Sequence, residues 1–175
     1  MHPYKAQKFV VHCVTEPLVD SKLDSELCQL LQICFPNESK FKNHRDYNEM
    51  PQMRWILRFE GELIAHIAAH EKTLRVGTKE FRFCGISEVC IIPTFRKRRL
   101  LPQLLNALEL YYAKHAYDFS ILLGPSRIYQ PHGYRSVDNV YFPEQSDACA
   151  EFAMYKPLRS IEWPQKAVAI EGAYF

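Results

Sequence analysis

No apolar run in the sequence approaches the roughly 20 residues that a membrane-crossing helix needs, so no membrane partner is expected. Charge of one sign is not in excess either. Twenty-two Lys and Arg stand against 20 Asp and Glu, a formal net charge of +2. That balance gives no general attraction to nucleic acid, and the positive excess is local, at residues 96–99. The six cysteines, Cys13, Cys28, Cys34, Cys84, Cys90 and Cys149, contain no C-x-x-C pair and no metal-ligand spacing. No metal is therefore expected, and the thiols read as buried and reduced in a cytoplasmic protein. The stretch 1–14 lacks a small-residue cleavage site, so no signal peptide is read there. Internal repeats, low-complexity segments and dividing linkers are also missing. A chain of 175 residues without them reads as one domain over 1–175. There is no Ser-His-Asp order, no phosphate-binding P-loop and no glycine-spaced dinucleotide fingerprint. Hydrolase, kinase and dehydrogenase readings have no support in the sequence.

The residues that are present make an ordinary globular mixture, 47% hydrophobic and 24% charged. Residues 8–14 read as a short strand. Residues 21–35 read as a helix, because Leu23, Leu27, Leu30, Leu31 and Cys34 form one stripe at helical spacing. Ser21 followed by Asp24 resembles a capping signal, and Pro36 stops the helix. The polar stretch 37–52 reads as a loop. A hairpin follows, 53–59 and 63–70, turned at Glu60-Gly61; a turn at Gly77-Thr78 leads into a strand over 80–92. Residues 99–116 read as a second helix whose apolar stripe is Leu101, Leu104, Leu105, Leu108 and Tyr112. Pro102 confines the start of that helix to the residues just before it. A strand over 118–123, one or two helical turns over 126–130, and strands over 134–141 and 151–155 complete the order. The fold class is α+β, a mixed and mostly antiparallel sheet flanked by helices.

One segment carries chemistry. A strand ends at Pro93, four consecutive basic residues follow (Arg96, Lys97, Arg98 and Arg99), and a helix begins. Unpaired N–H groups and partial positive charge at a helix start suit an anion, and a pyrophosphate fits. Charge alone reads equally as a solvated basic turn.

The run Ile91-x-Pro93-x-x-Arg96-x-x-Arg99-x-Leu101, followed by Leu104-Leu105, resembles the coenzyme A motif of the GNAT acyltransferases. That motif is a strand ending in V-x-P, then R/Q-x-x-G-x-G/A opening a helix. Further on, Tyr129-Gln-Pro-His-Gly133-Tyr134 is similar to the family's Y-x-x-x-G-F/Y signature. Within the family, Ala65-His66, Leu74-Arg75-Val76-Gly77 and Cys84-Gly85-Ile86-Ser87-Glu88 resemble the aminoglycoside 2'-N-acetyltransferases and, less closely, the nodulation N-acyltransferases. Both glycines of the phosphate motif are replaced, by Arg99 and Leu101. A side chain there can obstruct a phosphate, while an arginine adds a guanidinium.

The resemblance implies a GNAT-type domain that moves an acetyl group from acetyl-CoA to a primary amine by direct attack. The acceptor is a small-molecule or peptide amine, and a homodimer is left open. The coenzyme's pantetheine arm lies along backbone groups of Val89, Cys90 and Ile91. Its phosphates are met over Arg96, Lys97, Arg98, Arg99, Leu100 and Leu101. Tyr129 stands at the family's general-acid position for the departing thiolate. Glu88 is the one carboxylate in an apolar strand. It reads as a base whose pKa burial raises, or as a group on the opposite face paired with Arg82, which strand alternation puts on its side. Ser126 reads as a coenzyme contact or as a helix N-cap. His66, His70, His115 and His132 read as structural or surface residues. Glu144, Asp147 and Glu151 would suit a polycationic acceptor, or form a solvated acidic loop. The alternative function is a catalytically inactive GNAT-fold binding or regulatory module with a degenerate coenzyme site.

Overall fold

A computed structural model of the chain describes residues 9–175. The expected first strand began at Lys8, which lies outside the described residues, as does most of the stretch 1–14. The strand observed is β1, Val11–Thr15. Helix α1 spans Ser21–Cys34 and is capped by Asp20, not Ser21: the Asp20 carboxylate accepts from the Leu23 N–H at 2.8 Å. Strands β2 (Met53–Phe59), β3 (Glu62–Val76) and β4 (Lys79–Ile91) form the expected meander. Helix α2 spans Leu100–Lys114, strand β5 Phe119–Leu123 and the single turn α3 Ser126–Tyr129.

The expected strand over 134–141 is broken into β6 (Arg135–Ser136) and β7 (Val140–Tyr141). Asn139 is the reason. Its side chain donates to the carbonyls of Pro164 and Lys166 at 2.9 and 2.7 Å and accepts from the Trp163 indole at 2.9 Å. These bonds peel the chain away toward the C-terminal segment. There, β8 (Ala153–Pro157) and an unforeseen β9 (Val168–Ile170) complete the sheet.

The strands follow the order β1-β2-β3-β4-β5-β8-β6, with β9 beside β3 and β7 beside β9. Along the main path the one parallel pair is β4–β5, and α2 makes the crossover that such a pair requires. Helix α2 covers one face, packing Leu104, Leu105, Leu108 and Tyr112 on Trp55, Ile67, Cys84 and Ile86. The opposite face has two covers. Helix α1 lies over the β1–β4 half through Leu23, Leu27, Leu30 and Leu31. The C-terminal segments lie over the other half, where Phe142, Trp163, Val168 and Phe175 pack on Phe83, Phe119 and Ile121. A cleft opens between these two covers.

Candidate active site

Strands β4 and β5 are paired only from Phe83↔Phe119 to Ile86↔Leu122. Beyond Ile86, β4 runs on to Ile91 against β3 alone. Its edge toward β5 has no strand partner among the described residues over residues 87–91, the stretch that includes Val89, Cys90 and Ile91. The cleft, of about 400 Å³, occupies this divergence. Ile86, Ser87, Glu88 and Val89 line it on one side, and Leu122, Leu123, Gly124, Pro125 and Tyr129 on the other.

A β-bulge decides what enters the cleft from β4. His66 faces Cys90 and Ala68 faces Ser87, so Ile67 opposes two residues, Glu88 and Val89. Glu88 takes the extra place with φ 51°. Before the bulge, Cys84 and Ile86 point toward α2, and simple alternation would send Glu88 the same way, with Arg82. The inserted residue flips the parity. Glu88 therefore faces away from α2, and the pairing with Arg82 does not form. Arg82 instead stacks on Tyr117 at 4.0 Å and donates to the His115 carbonyl.

The Glu88 carboxylate accepts from the Tyr47 N–H at 2.8 Å and from Arg54 at 3.2 Å. Burial pushes its pKa up, and Arg54 beside it pulls down less strongly; the result is about 7. Arg54 is also engaged elsewhere. Its guanidinium, fully buried, also meets Glu16 at 2.7 Å. It donates in addition to His66 Nε2 at 3.1 Å. His66 Nδ1 lies 3.1 Å from the Glu88 carbonyl, which can only accept, so the ring is neutral with its proton on Nδ1. Burial pushes the His66 pKa well down, in agreement.

His70 is also buried, the structural one of its two expected readings. Its Nε2 lies 2.8 Å from Ser87 Oγ, and burial lowers its pKa to about 3. Its Nδ1 has no hydrogen-bond partner among the described residues; the Glu49 carboxylate lies 3.4 Å away. Nothing in the sequence joined Arg54, Glu16, His66 and His70 to Glu88. Glu16 and Glu88 lie about 70 residues apart along the chain, and only the packing of the sheet brings these groups to one face.

Tyr129 closes the opposite wall. Its hydroxyl makes no hydrogen bond with a protein group among the described residues, and burial lifts its pKa to about 12. Its ring packs over Gly124, where a Cβ would lie 2.6 Å from Cε2. The neighbouring Tyr134 is different. It is buried in the α2 core, where Glu109 accepts from its hydroxyl at 3.0 Å and Ser120 Oγ lies 2.7 Å away. Ser126 is exposed at the start of α3 and caps nothing, the N-cap being Pro125. The N-cap reading of Ser126 is thereby overturned.

The basic turn continues from the end of β4. Arg96 donates from Nε to the Ile91 carbonyl at 3.1 Å, fastening the turn to the strand. Lys97 and Arg99 both adopt left-handed backbone, with φ 63° and 56°, and Arg98 between them does not. Alternation of hand gathers N–H groups into an anion-binding concavity. Arg99 thus holds the backbone state a glycine would supply, at a cost of about 1–2 kcal/mol. The N–H groups of residues 97–101 donate to no protein acceptor among the described residues. Leu100 is buried in the core and Leu101 packs against it. At both leucines only the backbone is offered to an anion, and the Leu101 side chain is directed to the core. Arg96, Lys97, Arg98 and Arg99 are all exposed.

Among the described residues no cluster of His, Cys, Asp and Glu could hold a metal ion. All six cysteines are free. Cys28, Cys84 and Cys90 are buried as expected, but Cys34 and Cys149 are partly exposed and Cys13 is exposed. No helix among the described residues is long and apolar enough to cross a membrane. Glu144, Asp147 and Glu151 are exposed and do not line the cleft.

Comparison with known proteins agrees with this geometry. The model of the acetyltransferase (GNAT) domain family matches residues 19–137. The fold is similar to that of a GNAT family N-acetyltransferase, YhbS, from Escherichia coli, solved in complex with CoA. The TM-score is 0.74 at 12% identity, over 98% of this chain and 93% of that one. It is also similar to a GNAT family acetyltransferase from Brucella melitensis solved with acetyl-CoA, with TM-score 0.62, 14% identity, and 91% and 95% covered. Eis1 from Mycobacterium abscessus matches with TM-score 0.60 and 15% identity over 71% of this chain, which spans 31% of that protein's length. No curated protein sequence matches significantly. The chain belongs to the GNAT acetyltransferase domain family.

Proposed function

We propose that the chain is an N-acetyltransferase that works as one domain and moves an acetyl group from acetyl-CoA to a primary amine by direct attack. One observation carries the reading: Glu88 and Tyr129 line opposite walls of a single cleft, at the place where β4 leaves β5. An extended pantetheine arm can add to the unpartnered β4 edge at Val89, Cys90 and Ile91. The free N–H groups of residues 97–101, with the charges of Arg96, Lys97, Arg98 and Arg99, suit the pyrophosphate. Ser126, exposed beside the cleft, is free to bond the coenzyme.

The amine nitrogen attacks the thioester carbonyl, forming the C–N bond and a tetrahedral intermediate. Glu88, with its pKa near neutrality, takes the proton from the ammonium nitrogen. The C–S bond then breaks, and Tyr129 gives its phenolic proton to the thiolate. A phenol held near 12 is fully protonated at neutral pH and available to donate. The apolar wall that raises it raises the basicity of a thiolate there in the same direction. Solvent returns the proton from Glu88 to Tyr129.

The free cysteines suit a reducing compartment such as the cytoplasm. The test is stabilisation by acetyl-CoA followed by release of the CoA thiol with a panel of amines. A melting temperature that rises with millimolar acetyl-CoA and amine-dependent thiol release are expected. An unmoved melting temperature would point instead to the inactive module.

A further inference from the structure

The part of the cleft beyond the β4 edge has its own chemistry. Phe35, Phe41 and Tyr47 stand together on the α1 side, and Phe175 faces them from the C-terminal side. The Phe35 and Phe41 ring centroids are 5.6 Å apart, and those of Phe41 and Tyr47 6.2 Å. The three rings form one continuous wall. Phe41 is almost wholly buried and the α1 cluster fixes it. Phe175 is held by Phe83 and Phe142 and lies directly under Gly85, where a Cβ would come within 2.8 Å of its ring. This wall is coupled to the base, because the Tyr47 N–H donates to Glu88.

Among the described residues, two carboxylate side chains line the cleft, Glu38 and Glu88. A polycation needs several fixed negative charges to compensate its desolvation. The acidic residues that would suit a polycation, Glu144, Asp147 and Glu151, are not in the lining. Volume argues in the same direction. The whole cleft is about 400 Å³ and must also admit the acetyl end of the coenzyme. A cavity of about 150 Å³ holds one benzene ring, so the remainder fits a body of one or two rings.

We infer that the acceptor is a primary amine carried on a compact aromatic or apolar body, an arylalkylamine in chemical class, and not a polyamine or an amino sugar. The ring lies against Phe35, Phe41, Tyr47 and Phe175, and the amino group points to Glu88. The inference rests on the acetyltransferase reading above.

The experiment compares kcat/KM, by CoA thiol release, for phenethylamine and tryptamine against spermidine and kanamycin. In parallel, the melting temperature of the CoA-loaded protein is read with each amine. The arylalkylamines should exceed both polycations by at least ~10-fold in kcat/KM, and they alone should raise the melting temperature. Tyr47→Leu should lower kcat/KM for phenethylamine by ~3- to 10-fold, the range of one aromatic contact, and should leave the melting shift with CoA alone in place. Equal or better turnover of spermidine or kanamycin overturns the acceptor class while leaving the transferase reading intact. Absence of any shift from the arylalkylamines on a protein that CoA does stabilise overturns it too. A protein that CoA fails to stabilise brings down both.

Discussion

Arg54 and Glu88 form a buried ion pair of 3.2 Å at the floor of the cleft, and Glu16 holds the same guanidinium at 2.7 Å. Arg54 thus bridges two carboxylates, and Arg45 meets Glu16 as well, at 2.6 Å. Arg54 orders Glu88 without forcing it to ionise, and burial is left to set the pKa of Glu88 near 7. Structure and acid–base behaviour meet in this pair.

The acid limb of the pH–rate profile follows from it. As the proposed base, Glu88 takes a proton only when ionised, so kcat/KM should rise with pH through about 7 and level above it. Glu88→Gln should lower turnover by about 10²- to 10⁴-fold, the usual worth of a positioned base, and remove that limb. Steady-state rates from pH 5.5 to 9 check this; a Gln variant with an unchanged limb assigns the titration elsewhere.

Glu16→Gln should move the limb. With Glu16 neutral, one negative charge beside Arg54 is removed, and the ionised form of Glu88 is stabilised. The limb should shift to lower pH by about one unit, within the range of a close opposite charge. The same profile on the variant reads it, and a shift to higher pH would contradict this account.

Stability carries the same signature with a definite sign. The folded-state pKa of Glu88 lies above that of an unfolded carboxyl, so the folded protein holds its proton longer. The contribution of Glu88 to stability is complete below the ordinary carboxylate range and is lost as pH rises through about 7. Chemical denaturation between pH 5 and 8 should show wild-type stability falling more steeply than that of Glu88→Gln.

Tyr129→Phe should leave the melting temperature nearly unchanged, because the hydroxyl bonds to no protein group among the described residues. Turnover should fall by about 10²-fold or more. Gly124→Ala perturbs the same residue differently: its Cβ meets the Tyr129 ring at 2.6 Å. It should cost about 1–3 kcal/mol of stability through overpacking and displace the phenol, lowering turnover as well. Differential scanning calorimetry and thiol release separate the two effects.

Arg99→Gly and Arg99→Ala distinguish backbone from side chain in the basic turn. Arg99 sits at φ 56°, where glycine is unstrained and alanine is not. The glycine variant should be the more stable of the two by about 1 kcal/mol. Both should bind acetyl-CoA with a weaker salt dependence than wild type, since both lose the guanidinium. Calorimetric titration at two ionic strengths measures it.

The sequence by itself determined the elements that local rules control. The apolar stripes of α1 and α2, the turns at Gly61 and Gly77, and the stop at Pro93 are written in residues near one another, and the structure has them all. The motif from Ile91 to Leu101 and the Tyr129–Tyr134 run pointed to the family, because short spacing survives in sequence. Tertiary structure decided the rest. The face of Glu88 turned on one inserted residue opposite Ile67, and a bulge is fixed by pairing with β3, not by the residues of β4. The break at Asn139 depends on carbonyls more than 20 residues away. The Arg54, Glu16 and His66 support of Glu88 exists only because four distant segments converge on one sheet face. A buried charge is affordable only where such partners meet it, and no local pattern announces where that will be.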